Sequence, residues 1–175
     1  MERIRDELVF ERVIVWDNSV RPDWKTAGRY FAAGLAGEWV YFQDDDCLVP
    51  AATQEALVAA AGDPECVANW GHGETPDGYD DLPLVCGGAV VWAEAAWRAI
   101  FLYASRYPLD DAFAYEADFV VGALYRSFRH VRLPFEIELG IAQAPERLCN
   151  QPWQRDLKRE ITDRARGLRS VEVAA

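Results

Sequence analysis

Short apolar runs alternate with helical repeats along this chain, and that alternation predicts an α/β domain. Val13 to Trp16, Trp39 to Phe42 and Leu84 to Trp92 are aromatic and β-branched, as suits buried strands; Gly87-Gly88 interrupts the third. Val131 to Phe135 reads as an edge strand stopped by Pro134. Between them, Ala27, Tyr30, Phe31 and Leu35 predict a helix over 23–35, with Asp23 as its N-cap and Gly28 and Gly34 weakening it. Pro50 at a first helical position and Gly62 beyond the end delimit a second helix. A third, Ala93 to Ser105, directs Ala96, Trp97, Ile100 and Phe101 inward, and a fourth starts at Glu116 to Asp118 after a turn-rich approach from Pro108. Trp153, Leu157 and Ile161 recur every fourth residue among charges, predicting an amphipathic C-terminal helix over about 151–168 that docks on the domain or on a partner chain. Only Asp63 to Leu82 breaks the pattern, as a long segment rich in Gly, Pro and Asp that reads as a functional loop.

Three aspartates, Asp44, Asp45 and Asp46, follow the Trp39 to Phe42 run directly. They stand at the carboxyl end of a predicted central strand, where open α/β sheets bind ligands. Adjacent like charges repel unless water or a cation neutralises them, and hard oxygens suit Mg²⁺, Mn²⁺ or Ca²⁺. A solvated acidic turn is the plainer reading of the triplet alone.

Composition narrows the function classes. At 175 residues with 51% hydrophobic side chains, the chain fits one globular domain with a substantial core, 1–175. A net charge of -11 argues against a general nucleic-acid or anionic-membrane binder, which needs a basic surface. No apolar run reaches the length of a bilayer span and the N-terminus lacks a signal-peptide apolar region, so a cytoplasmic location is expected. The four cysteines, Cys47, Cys66, Cys86 and Cys149, form no C-x-x-C pair, and small buried thiols are expected rather than zinc.

Taken together, the strand ending in Asp17-Asn18-Ser19, the Asp44-Asp45-Asp46 triplet, Gly87-Gly88 and the acids at Glu116 and Asp118 resemble a nucleotide-sugar glycosyltransferase of the GT-A fold, family 2-like. The resemblance spans about Val13 to Phe135. It implies a mixed, mostly parallel central sheet flanked by helices, with the first βα unit missing or abbreviated, since little chain precedes Asp17. It implies transfer of a sugar from a nucleotide diphosphate sugar to an acceptor hydroxyl of a saccharide or protein, with inversion at the anomeric carbon. Asp44-Asp45-Asp46 then takes the place of the DXD motif, with Mn²⁺ or Mg²⁺ on Asp44 and Asp46. Asp17, Asn18, Arg29, Asp44 and Asp45 would contact the nucleotide, and Asp118, or else Glu116, would act as general base.

Each residue also has a plainer reading. Asp17 to Ser19 would cap a turn; Arg29 would be a surface cation; Glu116 or Asp118 would cap a helix; Gly87-Gly88 would mark a bulge. Trp70 stacks on a sugar or anchors a loop to the core, His72 is an ordinary polar residue or a ligand, and Asp110 and Asp111 are candidates for the acceptor. His130 fits a metal ligand poorly, and Gln154 stands where related tails often carry histidine. Two alternatives stand beside the transferase: a degenerate GT-A domain that binds nucleotide or saccharide without turnover or needs a partner chain, and an acidic cation-binding structural module.

Overall fold

The computed structural model describes residues 10, 14, 23–35, 37–44, 47–70, 82–83, 88–137 and 152–173. A 3-10 turn at Lys25–Ala27 leads into α1 (Gly28–Ala33), followed by β1 (Trp39–Phe42), β2 (Cys47–Leu48) and α2 (Ala51–Ala60). Next come β3 (Cys66–Asn69), β4 (Ala89–Trp92), α3 (Ala93–Ala104), α4 (Asp111–Leu124), β5 (Phe128–Val131), β6 (Glu136–Ile137) and α5 (Gln154–Val173). The main sheet has the order β1-β4-β3-β5, and β2 pairs with β6 in a separate antiparallel ribbon.

This is a mixed sheet flanked by helices, but the expectation of a mostly parallel one is corrected. Among the described strands β4 pairs antiparallel with both β1 and β3, and only β3 with β5 is parallel. The reason is an insertion. β1 and β3 run the same way over the α2 crossover, and β4 returns between them in the opposite sense, converting one parallel neighbourhood into two antiparallel pairs.

Strand alternation divides the interior into two layers. Phe42, Cys66, Ala68, Ala89 and Val91 face the larger core, which α1, α3, α4 and α5 complete with Tyr30, Ile100, Tyr103, Phe113, Val120 and Ile161. Trp39, Tyr41, Val67 and Val90 face the other side, where Leu57 of α2 packs with Val131 and Leu133. Leu57 and Ile161 are essentially fully buried, each contributing about 1.5–3 kcal/mol by removal from water. Glu65 fastens the β3 end of the sheet: Arg98 grips it with both Nη atoms, at 2.8 and 2.7 Å, and the Arg126 amide donates to Oε2 at 2.8 Å.

Several sequence expectations shift. Asp63 to Leu82 is not one loop, because Cys66–Asn69 is a wholly buried central strand. Its four small or medium side chains lack the aromatic or Ile-rich signature, and only the neighbours on both sides reveal it. The helix over 23–35 breaks into the 3-10 turn and six-residue α1. Asp23 does not cap it; Trp24 precedes the turn, and Asp23 instead accepts from the Lys25 amide and ammonium. Pro50 is the N-cap of α2 rather than its first residue. In α3 the buried stripe runs through Ala95, Ala96, Ala99, Ile100 and Tyr103, turning Phe101 outward to 65% exposure. Among the described residues the last main-sheet strand is Phe128–Val131, upstream of the expected Val131 to Phe135. α5 docks on its own domain through Ile161, Ala165 and Leu168 and continues to Val173. Among the described residues no helix is long and apolar enough to cross a membrane.

Candidate functional site

The helix that carries Glu116 and Asp118 does not begin at those acids, contrary to the expectation from sequence. α4 starts at Asp111, with Asp110 as its N-cap accepting from the Phe113 amide at 3.1 Å, so Asp110 serves the helix. Glu116 nevertheless interrupts the helix, with φ -118° and ψ 27°. Inserting a side chain into the i→i−4 ladder is a known cause of such a kink. Here the Thr26 hydroxyl, from the 3-10 turn, lies 3.1 Å from the Ala114 carbonyl and 3.0 Å from the Tyr115 carbonyl. Those two carbonyls would ordinarily serve the amides of Asp118 and Phe119. The expected helix start is therefore visible as a break, with Asp118 in the first turn beyond it.

The kink presents Asp118 to α1. The Tyr30 hydroxyl donates to Asp118 Oδ1 at 2.6 Å, and Arg29 Nε lies 4.0 Å from the same oxygen. Arg29 also donates from Nη2 to Asp44 Oδ1 at 2.7 Å. One guanidinium thus bridges an acid beyond the end of β1 and an acid beyond the helix kink. All three side chains are sheltered yet reachable, at 22% exposure for Arg29, 25% for Asp44 and 16% for Asp118. Arg29 Nη1 is buried with no hydrogen-bond partner among the described residues. Burial works against the charge on Arg29, but Asp118 and Asp44 more than offset it and its pKa is raised. Burial, reinforced by Asp118, holds the Tyr30 phenol well above its ordinary pKa, so it remains a donor.

Asp44 is set by a short turn. Tyr41 donates to Gln43 Oε1 at 2.8 Å, Gln43 Nε2 to the Cys47 carbonyl at 2.8 Å, and the Cys47 amide to the Asp44 carbonyl at 3.2 Å. Gly88 makes room for the Tyr41 ring: a Cβ there would lie 2.6 Å from its hydroxyl, and φ is +90°. Gly88, one of the pair that interrupts the expected strand, thus admits Tyr41. Asp45, Asp46, Asp17, Asn18, His72 and Gly87 lie outside the described residues. Asp44 offers hard oxygen to a divalent ion, and a carboxylate has about four acceptor positions, so its bond to Arg29 is compatible with a shared cation. Among the described residues no group of three or more His, Cys, Asp or Glu is arranged to hold a metal.

Glu116 is placed differently from Asp118. It is 1% exposed, it faces Gln154 and Lys158 of α5, and Oε1 has no hydrogen-bond partner among the described residues. Burial raises its pKa to about 7, with Lys158 and Gln154 opposing and Asp118 adding to the rise. Lys158 itself lies over the Phe119 ring at 4.4 Å.

The remaining candidates have structural surroundings. Trp70 is buried edge-on to His130, whose Nε2 is 2.9 Å from the Leu82 carbonyl. Cys47 and Cys66 are buried thiols, and burial pushes Cys66 well up. Thr26 and Tyr30 were missed as site residues, because Tyr30 reads as a core position and Thr26 as an ordinary helix residue. The available signal was adjacency: Tyr30 directly follows Arg29. Compared with family models, characterised proteins and solved structures, the chain finds no match.

Proposed function

We propose that the Arg29, Asp44 and Asp118 cluster is the donor and catalytic site of a metal-dependent glycosyltransferase of GT-A type, acting on a nucleotide diphosphate sugar in the cytoplasm. The observation that carries this reading is the bridge made by Arg29. It joins Asp44, beyond the carboxyl end of β1, to Asp118, beyond the kink of α4, so that the proposed donor-side and acceptor-side acids share one site. In this reading Asp118 takes the acceptor hydroxyl proton as that oxygen attacks the anomeric carbon, and the bond from that carbon to the diphosphate oxygen breaks with inversion. A Mn²⁺ or Mg²⁺ ion at Asp44 and Asp46 would neutralise the departing diphosphate. Asp17, Asn18, Arg29 and Asp45 would orient the nucleotide. Asp118 is preferred over Glu116 as base because Glu116 is enclosed between α4 and α5.

A second reading is favoured by the same ion pair. Asp44 already has a cation in Arg29, which suits a domain that binds nucleotide or saccharide without turnover. Calorimetric titration of UDP and GDP, with and without Mn²⁺, separates these readings. The transferase predicts Mn²⁺-dependent binding lost in Asp46→Ala and kept in Asp118→Asn, with donor turnover falling about 10²- to 10⁴-fold in the latter. Binding without turnover favours the degenerate domain. Mn²⁺ binding without nucleotide leaves a cation module, and failure to bind either nucleotide with any metal sinks the transferase reading.

A further inference from the structure

Asp118 is held by more than its own helix. Its place depends on the break at Glu116, and the break brings the Ala114 and Tyr115 carbonyls against the Thr26 hydroxyl. Beyond the break, one Asp118 oxygen receives the Tyr30 phenol at 2.6 Å. Tyr30 is itself fixed: it is 2% exposed and packs edge-on against Phe42 at 5.2 Å, the last residue of the strand that leads to Asp44. Thr26, Arg29 and Tyr30 fall within six consecutive residues, 25–30, that lie between the two acids. A carboxylate bound by one fixed donor has one oxygen oriented and the other directed by the plane of the group.

We infer that Tyr30 is a positioning residue for Asp118, and that Thr26 holds the helix break on which Asp118 is carried. The inference rests on the assignment of Asp118 as general base and adds to it the residues that fix its aim. Neither needs to touch substrate. The segment 25–30 acts as a spacer between acids from β1 and α4, with Arg29 fixing Asp44 and Tyr30 fixing Asp118. The competing role for Tyr30 is core packing alone, and Tyr30→Phe separates the two because it keeps the ring and removes only the donor.

The test compares Tyr30→Phe, Thr26→Val and Thr26→Ser with wild type in donor turnover, Mn²⁺-dependent UDP or GDP binding, and NMR of carboxyl-labelled aspartate. Positioning predicts that kcat falls about 10- to 100-fold in Tyr30→Phe and Thr26→Val. KM and nucleotide binding stay within about twofold, since ground-state binding is untouched, and Thr26→Ser recovers most of the loss. The Asp118 carboxyl signal moves in the first two variants and stays in the third. An unmoved signal in both Tyr30→Phe and Thr26→Val overturns the inference, as does a loss of nucleotide binding that parallels the loss of kcat. A signal that moves in a protein turning over no donor supports positioning and removes only the transferase reading.

Discussion

Arg29 donates to Asp44 at 2.7 Å while its Nε stands 4.0 Å from Asp118, so a single cation separates two carboxylates that would otherwise confront each other. Arg29→Leu leaves both acids without their shared partner in a sheltered site. The expected cost is about 1–2 kcal/mol, read as a lower urea midpoint, because removing the shared cation from a partly buried charge cluster costs more than the pair contributes, while Asp118 keeps its bond from Tyr30. Adding Asp44→Asn to Arg29→Leu should recover part of that loss. Full additivity of the two changes would show that the pair is not coupled.

Glu116 ties stability to pH. Its folded pKa, raised from 4.5 to about 7 chiefly by burial, means the native state holds a proton that the unfolded chain releases earlier. The contribution is fully present below about pH 4.5 and is lost as pH rises through about 7. Glu116→Gln should flatten that slope and be more stable than wild type at pH 8 by about 3 kcal/mol, on the scale of 1.36 kcal/mol per pKa unit. Denaturant midpoints measured from pH 5 to 8 decide this. Parallel curves for wild type and variant would remove Glu116 as the source.

Gly88 has both a left-handed backbone and no space. At φ +90°, with a Cβ 2.6 Å from the Tyr41 hydroxyl, Gly88→Ala must strain the chain and displace the ring that helps set Gln43. A loss of about 2–4 kcal/mol in unfolding free energy is expected. Gly88→Ala combined with Tyr41→Ala should regain the steric part and not the backbone part. A variant as stable as wild type would mean that β4 shifts to accommodate the methyl.

The parts legible in the sequence were those with a strong local signal. Trp39 to Phe42 formed a strand, but among the described strands it lies at the sheet edge and is half-buried rather than central and buried, because β4 covers one side of it only. Ala51 to Ala60 formed the expected helix, and the repeat of Ile161 on α5 pointed to its docking face. Of the candidate site residues, Arg29, Asp44 and Asp118 were named from the family resemblance, and the fold brings them together. β3 was illegible because Cys66–Asn69 becomes a strand through β4 and β5 rather than through its own propensities. Phe101 was misread because apolar spacing gives a stripe but not its rotation about the helix axis.

By itself the sequence determined which segments are apolar, and that acids follow an apolar strand and recur within a helical segment. Those properties depend on side-chain chemistry within a few residues. Only the tertiary structure decided that β4 runs between β1 and β3, that Thr26 meets a break in α4, and that Arg29 stands between Asp44 and Asp118. These relationships join residues distant along the chain, and their energies arise from burial and electrostatics that exist only once the elements have packed.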